Sequence, residues 1–453
     1  MSDNKKQRSL FATRLGVIAA TVGSSVGLGN IWRFPYEAGN HGGGAFMLCY
    51  IGFILLLGIP VICAEFVLGR NSHSDFFGCF DKHGRWKYMS FIGITASLMI
   101  LSFYSVVAGW TMGYLFNAVT GHLGTVTDNG GSYGDYFAEF TSGTWQPLMW
   151  TVLFLTINHL VVRGGVQKGI ERVSNILMPL LFVCLVTLCI NSLFMPGARK
   201  GLEFLFAPDF SCLTPGVVLS AMGQAFFSLS IGLGCMLTYA SYFNDKTRLL
   251  RNAGITAGLD TLVAILAGVM IFPAVFTYGI SPTQGPALVF DALPTIFGAM
   301  PGGELWASIF FLMLFVASLT STISMSEISI AYFVDQRGLS RAAACRWSSA
   351  IAIIGGTLCT LSFTGVSDLH FGDITIKFFD LFNDLSSKVL LPLGGLLISV
   401  FVGWRLDKRI FANQLTNNGR LHGIPVWLLR MLLRWVCPVA IALIFAASTG
   451  IIG

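Results

Sequence analysis

The chain has 453 residues, of which 54% are hydrophobic and only 11% are charged. Soluble domains carry about 25% charged residues, so this composition excludes a soluble globular protein and indicates a polytopic membrane protein. We interpret the net charge of +6 as a matter of membrane topology, with the lipid bilayer as the partner and no role for nucleic acid.

The apolar runs predict about eleven membrane-spanning helices, because each run approaches the roughly 20 residues that cross a bilayer. They lie at 13–35, 44–69, 88–119, 147–162, 170–194, 215–242, 252–278, 303–334, 343–363, 376–403 and 426–449. Lysine and arginine cluster in alternate connections, whereas the connection 121–146 contains neither. By the positive-inside rule, the polar N-terminal segment 1–12 is expected in the cytoplasm.

A short phrase occurs twice: residues 25–29 read Ser-Val-Gly-Leu-Gly and residues 230–234 read Ser-Ile-Gly-Leu-Gly. The phrases lie in spans one and six, and matching breaks in two apolar segments are typical of a transporter binding site. The second phrase lies five spans after the first. Because five is odd, the two equivalent halves, 13–200 and 201–404, are predicted to form an inverted repeat. A cytoplasmic loop and helix 11 follow at 405–453. The alternative is that these glycines only let neighbouring helices approach closely.

Three features place polar side chains inside predicted spans. Asp260 is a functional candidate, because a carboxylate inside the membrane is costly; the alternative places it at the headgroup level. Residues 317–327 read ASLTSTISMSE, and these hydroxyls either face a site or bond their own helix. Glu65 suits a structural role, in which it accepts hydrogen bonds from a broken helix.

An enzyme has no support in the sequence. The chain contains no His-Glu-x-x-His, P-loop or Cys-x-x-Cys pattern. Its ten cysteines lie mostly in apolar runs, and its seven histidines are scattered. We therefore expect neither catalysis nor a disulfide framework.

The chain resembles the neurotransmitter:sodium symporter family, in particular its bacterial amino-acid transporters. The motif GLGNIWRFPYEAGNHGGGAF at 27–46 carries most of the resemblance, and GQAFFSLSIGLG (223–234), TYASY (238–242) and PGG (301–303) follow in order. The similarity runs from about residue 8 to residue 404. It implies an all-α fold of five plus five inverted helices, with helices 1 and 6 unwound at mid-membrane.

The resemblance implies two sodium ions as co-substrates. The first would bind the carbonyl of Ser25 and the side chains of Asn30, Ser228 and Asp260, together with the substrate carboxylate. The second would bind carbonyls of Gly23, Val26 and Ala317 and hydroxyls of Thr320 and Ser321.

The resemblance also implies an amino-acid site between the two breaks. Its residues would be Ser24, Ser25, Gly27, Leu28, Gly29, Ile100, Tyr104, Phe227, Ser228, Ser230, Leu233, Ser321, Ser324 and Met325. Amides near Leu28 and the Tyr104 hydroxyl would meet the carboxylate, since helix N-termini attract anions. Relatives that transport amines carry aspartate at the position of Gly27, so a glycine predicts a substrate with its own carboxylate.

Charged residues are expected to form two gates. Arg33 would pair with Asp380, with Asp384 as a second candidate, while Arg8 would pair with Asp335 near Tyr242 and Glu327. In span five, Gly169 and Pro179 predict a segment that can unwind, because proline removes a helix hydrogen bond.

These features together predict a sodium-coupled symporter that imports a hydrophobic or aromatic L-amino acid across a bacterial inner membrane. Chloride-dependent relatives carry serine at the position of Ala264, so we expect the fixed charge of Asp260 to replace chloride here. The alternatives are a proton-coupled or exchange carrier of the same architecture and an amino-acid sensor that does not transport.

Overall fold

The computed structural model describes residues 9–128, 130–280, 288–371 and 374–451. In the first half, its α-helices are α1 (Arg14–Ser25), α2 (Phe34–Asn40), α3 (Gly44–Phe53), α4 (Ile59–Ser72), α5 (Met89–Val119), α6 (Thr125–Asp128), α7 (Tyr133–Ser142), α8 (Trp145–Arg163), α9 (Arg172–Leu193) and α10 (Ala198–Phe206). The sequence boundary expected at residue 200 falls inside α10.

The second half is also almost entirely helical. Its α-helices are α11 (Pro215–Ser228), α12 (Cys235–Ala240), α13 (Leu249–Tyr278), α14 (Leu293–Gly298), α15 (Gly303–Arg337), α16 (Arg341–Leu361), α17 (Phe378–Asp384), α18 (Leu391–Val400), α19 (Lys408–Thr416), α20 (Val426–Met431) and α21 (Cys437–Ser448). Two short antiparallel strands, β1 (Leu369–Phe371) and β2 (Ile374–Ile376), precede α17.

Short π-helical or 3₁₀ segments join several of these helices. They are Gly29–Arg33, Ile54–Gly58, Gly78–Tyr88, Val166–Glu171, Phe210–Cys212, Leu288–Ala292, Leu385–Leu390, Phe401–Arg405 and Leu432–Val436. Such segments change the helical register and free backbone groups, and π-type turns occur frequently at functional sites.

The predicted spans are confirmed as apolar helices. Among the described residues, nine continuous helices are long and apolar enough to cross a membrane. A tenth span is the pair Arg14–Ser25 and Gly29–Asn40, whose axes are bent by 53°. The remaining predicted span, 215–242, is divided into α11 and α12. The protein is therefore an all-α polytopic membrane protein with broken first and sixth spans.

The broken helices lie at the centre of the bundle. α1 packs against α9, α13 and α15, while α5 packs along α15. We call the end of the molecule at which α1 begins the N-terminal face, and the end that α2 reaches the vestibule face. A site between the two breaks is thus enclosed by long helices and lies between the two faces.

Candidate functional site

The break in span one frees two backbone amides from helical hydrogen bonding, and both bind side chains instead. α1 ends at Ser25, after which the Gly27 N–H donates to Asn30 Oδ1 at 3.0 Å. The Leu28 N–H donates to the Tyr104 hydroxyl at 3.0 Å. A hydroxyl that accepts from Leu28 still has a proton that it can donate to an incoming acceptor.

The break in span six is held by a buried carboxylate. Ser230, Gly232 and Gly234 have φ values of 53°, 90° and 85°, the left-handed region that ends a right-handed helix. The Gly232 N–H donates to Glu65 Oε1 at 2.9 Å, and the Leu237 N–H donates to Oε2 at 3.2 Å. The expectation that Glu65 accepts hydrogen bonds from a broken helix is confirmed.

The side chains expected at the first sodium position form one buried network. Asn30 Nδ2 donates to Ser228 Oγ at 2.9 Å and to Asp260 Oδ1 at 2.8 Å. Ser228 Oγ donates to Asp260 Oδ2 at 2.7 Å, and Asp260 is fully buried. Asp260 also lies nearer the middle of α13 than either of its ends, which favours the intramembrane position over the headgroup-level alternative. Carboxylate, hydroxyl and carbonyl oxygens at one point suit a hard cation.

Sequence reasoning missed one member of this network, Tyr50 on α3. Its hydroxyl donates to Ser228 Oγ at 3.2 Å and lies 3.4 Å from Asp260 Oδ2. A lone tyrosine within an apolar run carries no local signal of function. Only the packing of α3 against α11 and the approach of its hydroxyl to Asp260 reveal its role.

The residues expected at the second sodium position bring α1 and α15 together. Ser321 Oγ donates to the Val26 carbonyl at 3.0 Å. Thr320 Oγ1 donates to the Ala317 carbonyl of its own helix at 3.1 Å. Gly23 lies so close that a Cβ placed there would be 3.1 Å from Thr320 Cβ. All five oxygen-bearing groups thus lie at one interface.

Most residues expected to bind the amino acid line one central cavity of about 30 Å³. They are Ser25, Gly27, Gly29, Ile100, Tyr104, Phe227, Ser228, Ser230, Leu233, Ser321 and Met325, together with Leu391. Three expected residues lie elsewhere. Ser324 Oγ donates to the Ser321 carbonyl of its own helix at 2.7 Å, Leu28 lines the outer vestibule, and Ser24 contributes its carbonyl to Ser230 Oγ at 3.3 Å.

A vestibule of about 520 Å³ opens above the central cavity on the vestibule face. Arg33 and Asp380 both line it, yet within the described residues they form no ion pair. Arg33 instead lies 3.5 Å from Glu37 Oε1 and stacks 4.4 Å above the Phe227 ring. The expected Arg33–Asp380 pair is therefore not formed in this conformation, in which Arg33 lies next to Glu37 one turn away.

The other acidic candidate on α17 has a different partner. Asp384 pairs with Lys388 one turn later at 2.8 Å, so it is not aimed at Arg33. Glu37 was missed by sequence reasoning, although its spacing of four residues from Arg33 predicts contact on a helix. Ser220 Oγ donates to its second oxygen at 2.7 Å.

The N-terminal face is closed by a buried ion pair. Glu327 is fully buried and accepts from Tyr242 Oη at 2.6 Å. Arg341 binds both Glu327 oxygens, at 3.0 Å and 2.7 Å. From the sequence, Arg341 is only one of the basic residues that cluster in alternate connections. Arg8, the expected partner of Asp335, lies outside the described residues.

Two acidic residues meet beside this pair. The Asp75 N–H donates to Asp335 Oδ2 at 2.9 Å, and Gln336 Nε2 donates to Asp75 Oδ1 at 2.6 Å. Burial raises the pKa of the Asp75 carboxyl above its usual range, and the negative charge of Asp335 also raises it. Asp335 is thus part of a polar cluster that closes this face.

The start of α1 is tied to span five. Glu171 Oε2 accepts from the Ala12 N–H at 2.8 Å, and Oε1 accepts from the Thr13 N–H at 2.9 Å and from the Thr13 hydroxyl at 2.6 Å. Glu171 ends the π-helical segment Val166–Glu171, which contains Gly169. A carboxylate stabilises the helix N-terminus that it contacts. The position of the segment Val166–Glu171 therefore affects how firmly Glu171 fixes the start of α1.

Comparisons with known proteins agree with this architecture. The model of the sodium:neurotransmitter symporter family matches residues 8–129 and 140–451. The uncharacterized sodium-dependent transporter YhdH of Bacillus subtilis (strain 168) is 37% identical over 456 residues, which cover 100% of both chains. An uncharacterized sodium-dependent transporter of Haemophilus influenzae is 34% identical and covers 99% of this chain and 100% of its own.

A solved structure shares the fold over nearly the whole chain. The crystal structure of MhsT in complex with L-phenylalanine superimposes with a TM-score of 0.87 and 42% identity, covering 98% of this chain and 100% of that one. With broken helices around a buried oxygen-rich centre, this chain belongs to the sodium:neurotransmitter symporter family and is a sodium-dependent symporter, not an enzyme.

Proposed function

We propose that the chain imports a hydrophobic or aromatic L-amino acid together with sodium, in a bacterial inner membrane and with its N-terminus in the cytoplasm. The observation that carries this proposal is the surroundings of Gly27. A Cβ placed there would lie 2.7 Å from Ser321 Oγ and 2.8 Å from Tyr104 Oη. Any side chain at this position would crowd both hydroxyls, which supports a substrate that brings its own carboxylate.

The binding groups suit an α-amino acid with an apolar side chain. The Tyr104 hydroxyl and the amides after Leu28 would hold the carboxylate, which would also complete the first sodium site. Ile100, Phe227, Leu233 and Met325 would surround the side chain. The central cavity of about 30 Å³ must widen on binding, and the neighbour MhsT was solved with L-phenylalanine.

Two sodium sites would couple the entry of sodium to the import of the substrate. The first would consist of Asn30, Ser228, Asp260 and the Ser25 carbonyl, and the second of the Gly23, Val26 and Ala317 carbonyls with Thr320 and Ser321. Each positive charge that crosses a membrane with a potential of 100 mV gains about 2.3 kcal/mol. Two ions per substrate would therefore support steep accumulation.

The two faces support alternating access. The vestibule face is open, whereas Glu327–Arg341 and Glu171 close the N-terminal face, as expected before substrate binds from outside. Closure would transfer Arg33 from Glu37 to Asp380. Opening inward would loosen the segment 166–171 and withdraw Glu171 from the start of α1. Pro179 inside α9 would make this loosening easier, because proline removes a helix hydrogen bond.

Chloride independence rests on the residue at position 264. Ala264 is fully buried on α13, one turn after Asp260, and its methyl group cannot bind an anion. The Asp260 carboxylate would supply the negative charge instead. Uptake in sodium gluconate should equal uptake in sodium chloride, and a severalfold loss in gluconate would contradict this part of the proposal.

The test is uptake of radiolabelled L-phenylalanine into proteoliposomes with an inward sodium gradient, followed by competition with all twenty amino acids. We expect uptake that choline cannot support, with hydrophobic and aromatic competitors strongest. Tyr104→Phe should weaken binding by about 1.5 to 3 kcal/mol, the value of a hydrogen bond to a charged group. The control Tyr88→Phe changes an exposed hydroxyl and should have no effect.

Two outcomes would support the alternatives. Uptake driven by a proton gradient without sodium would indicate a proton-coupled carrier. Sodium-dependent binding without uptake would indicate a sensor.

A further inference from the structure

A cavity of about 200 Å³ lies on the N-terminal face, between the start of α1 and the start of α13. Arg14, Lys246 and Arg248 line it. Within the described part of the chain, none of these three cations forms an ion pair with a carboxylate. The neighbouring Asp245 is 92% exposed and lies 3.9 Å from His73, outside the lining of the cavity. The cavity therefore concentrates positive charge without an internal counter-ion.

A buried polar side chain also faces this cavity. Asn252 is only 3% exposed and lines the cavity, and among the described residues its side-chain amide makes no hydrogen bond. Buried amides are nearly always paired. In addition, α13 begins at Leu249 with no side chain capping its first turn. A hydrogen-bond acceptor with negative charge in the cavity would suit both the Asn252 side-chain amide and the uncapped start of α13.

A second cavity of about 260 Å³ adjoins the first, since Arg248 lines both. Its other walls are mostly aliphatic and come from Leu250, Leu415, Leu421 and Ile424. Both cavities lie beside the start of the membrane-spanning helix α13, and the end of a spanning helix is where lipid headgroups meet acyl chains. One molecule that carries a phosphate next to a hydrocarbon chain could fill both cavities, with the phosphate in the cationic one and the chain in the aliphatic one.

We propose that these cavities form a site for an anionic phospholipid. Its phosphate accepts from Arg14, Lys246, Arg248 and the Asn252 amide, and its glycerol and acyl region lies against the aliphatic wall. On the proposed topology, this face meets the cytoplasmic leaflet, where anionic headgroups concentrate.

The site would join two elements that move apart when the N-terminal face opens. Arg14 is the first residue of α1, and Arg248 immediately precedes α13. Glu171 already holds α1 from the side of span five. A bound lipid would add a second attachment and favour the closed N-terminal face. This consequence rests on the proposed alternating access, whereas lipid binding itself does not.

The test measures lipid bound to the purified full-length protein by native mass spectrometry. The probes are phosphatidylglycerol and phosphatidylcholine with identical acyl chains. We expect at least fivefold more phosphatidylglycerol than phosphatidylcholine on the wild type, and Arg248→Gln should reduce that ratio to below twofold. The matched control Arg346→Gln removes an exposed arginine near the start of another spanning helix, α16, and should keep the wild-type ratio.

A further arm distinguishes a lipid from a free anion. Inorganic phosphate at 100-fold excess over the lipid should leave phosphatidylglycerol binding within twofold, because it lacks the aliphatic contact. Complete displacement by phosphate, an equal ratio for the two lipids on the wild type, or an equal loss in Arg248→Gln and Arg346→Gln would each overturn the proposal. Because binding is read without transport, a failure here differs from a failure of the uptake experiment.

Discussion

The two glycine phrases have nearly the same residues, yet they break their helices in different ways. In residues 230–234 the backbone needs glycine for its conformation, since Gly232 and Gly234 have φ values of 90° and 85°. In residues 25–29 no residue has positive φ. There glycine is needed for lack of space, because a side chain at Gly27 would collide with the hydroxyls of Ser321 and Tyr104.

This difference assigns separate tasks to the two halves of the site. The span-six phrase is a scaffold, because Glu65 binds amides on both sides of the turn and stabilises a left-handed backbone. The span-one phrase forms the binding surface, where amides, carbonyls and empty space meet the ligands. Four substitutions, ordered by the size of the expected effect, test whether scaffold and surface separate.

Glu65→Ala should have the largest effect, on folding. It removes the acceptor of the Gly232 and Leu237 amides, and each unsatisfied buried group costs about 1 to 3 kcal/mol. We expect a strongly lowered unfolding temperature of the purified protein in detergent. Glu203→Ala removes an exposed carboxylate on α10 and should change it little. A wild-type unfolding temperature for Glu65→Ala would contradict the scaffold assignment.

Gly232→Ala should come next, again on stability. A Cβ there would lie 2.5 Å from the Leu391 carbonyl oxygen and 2.6 Å from the Gly395 nitrogen, and backbone atoms cannot easily move away. The left-handed conformation adds about 1 to 2 kcal/mol. The control is Gly254→Ala on α13, where a Cβ meets nothing within 4 Å. Equal unfolding temperatures for the two variants would show that the break tolerates a side chain.

Gly27→Ala should separate binding from folding. Its methyl group would crowd the Ser321 and Tyr104 hydroxyls, both of which line the site and can shift only at its expense. We expect at least tenfold weaker binding of labelled L-phenylalanine, or about 1.4 kcal/mol, with an unfolding temperature close to wild type. A loss of stability as large as that of Gly232→Ala would erase the distinction between the two phrases.

Gly29→Ala should have the smallest effect. The nearest atom to its new Cβ would be Phe227 Cε1 at 3.2 Å, part of a side chain that can rotate. Alanine also favours a helix by about 1 kcal/mol relative to glycine. We expect L-phenylalanine affinity within threefold of wild type. A tenfold loss would show that Phe227 is held rigidly beneath Arg33.

Local sequence patterns were sufficient for the elements, whereas most site residues came from the family resemblance. Apolar length predicted the spans, and the repeated phrase predicted both breaks. The residues that the resemblance implied for the sodium positions lie together in the structure, and intramembrane polar groups rarely lack a partner. Tyr50, Glu171 and Arg341 were not found, since each looks like an ordinary aromatic, helix-start or topology residue until its partner from a distant span is known.

The sequence by itself determined eleven apolar segments that suit a membrane. It also determined the features that are costly there, namely two interruptions and a few polar side chains. Only the tertiary structure decided which atoms satisfy those groups. It placed Arg33 on Glu37 instead of Asp380, because a charge pairs with the nearest acid in the conformation adopted. It also gave the two similar phrases different tasks, since backbone angles and neighbouring side chains come from packing and not from the residues of a phrase.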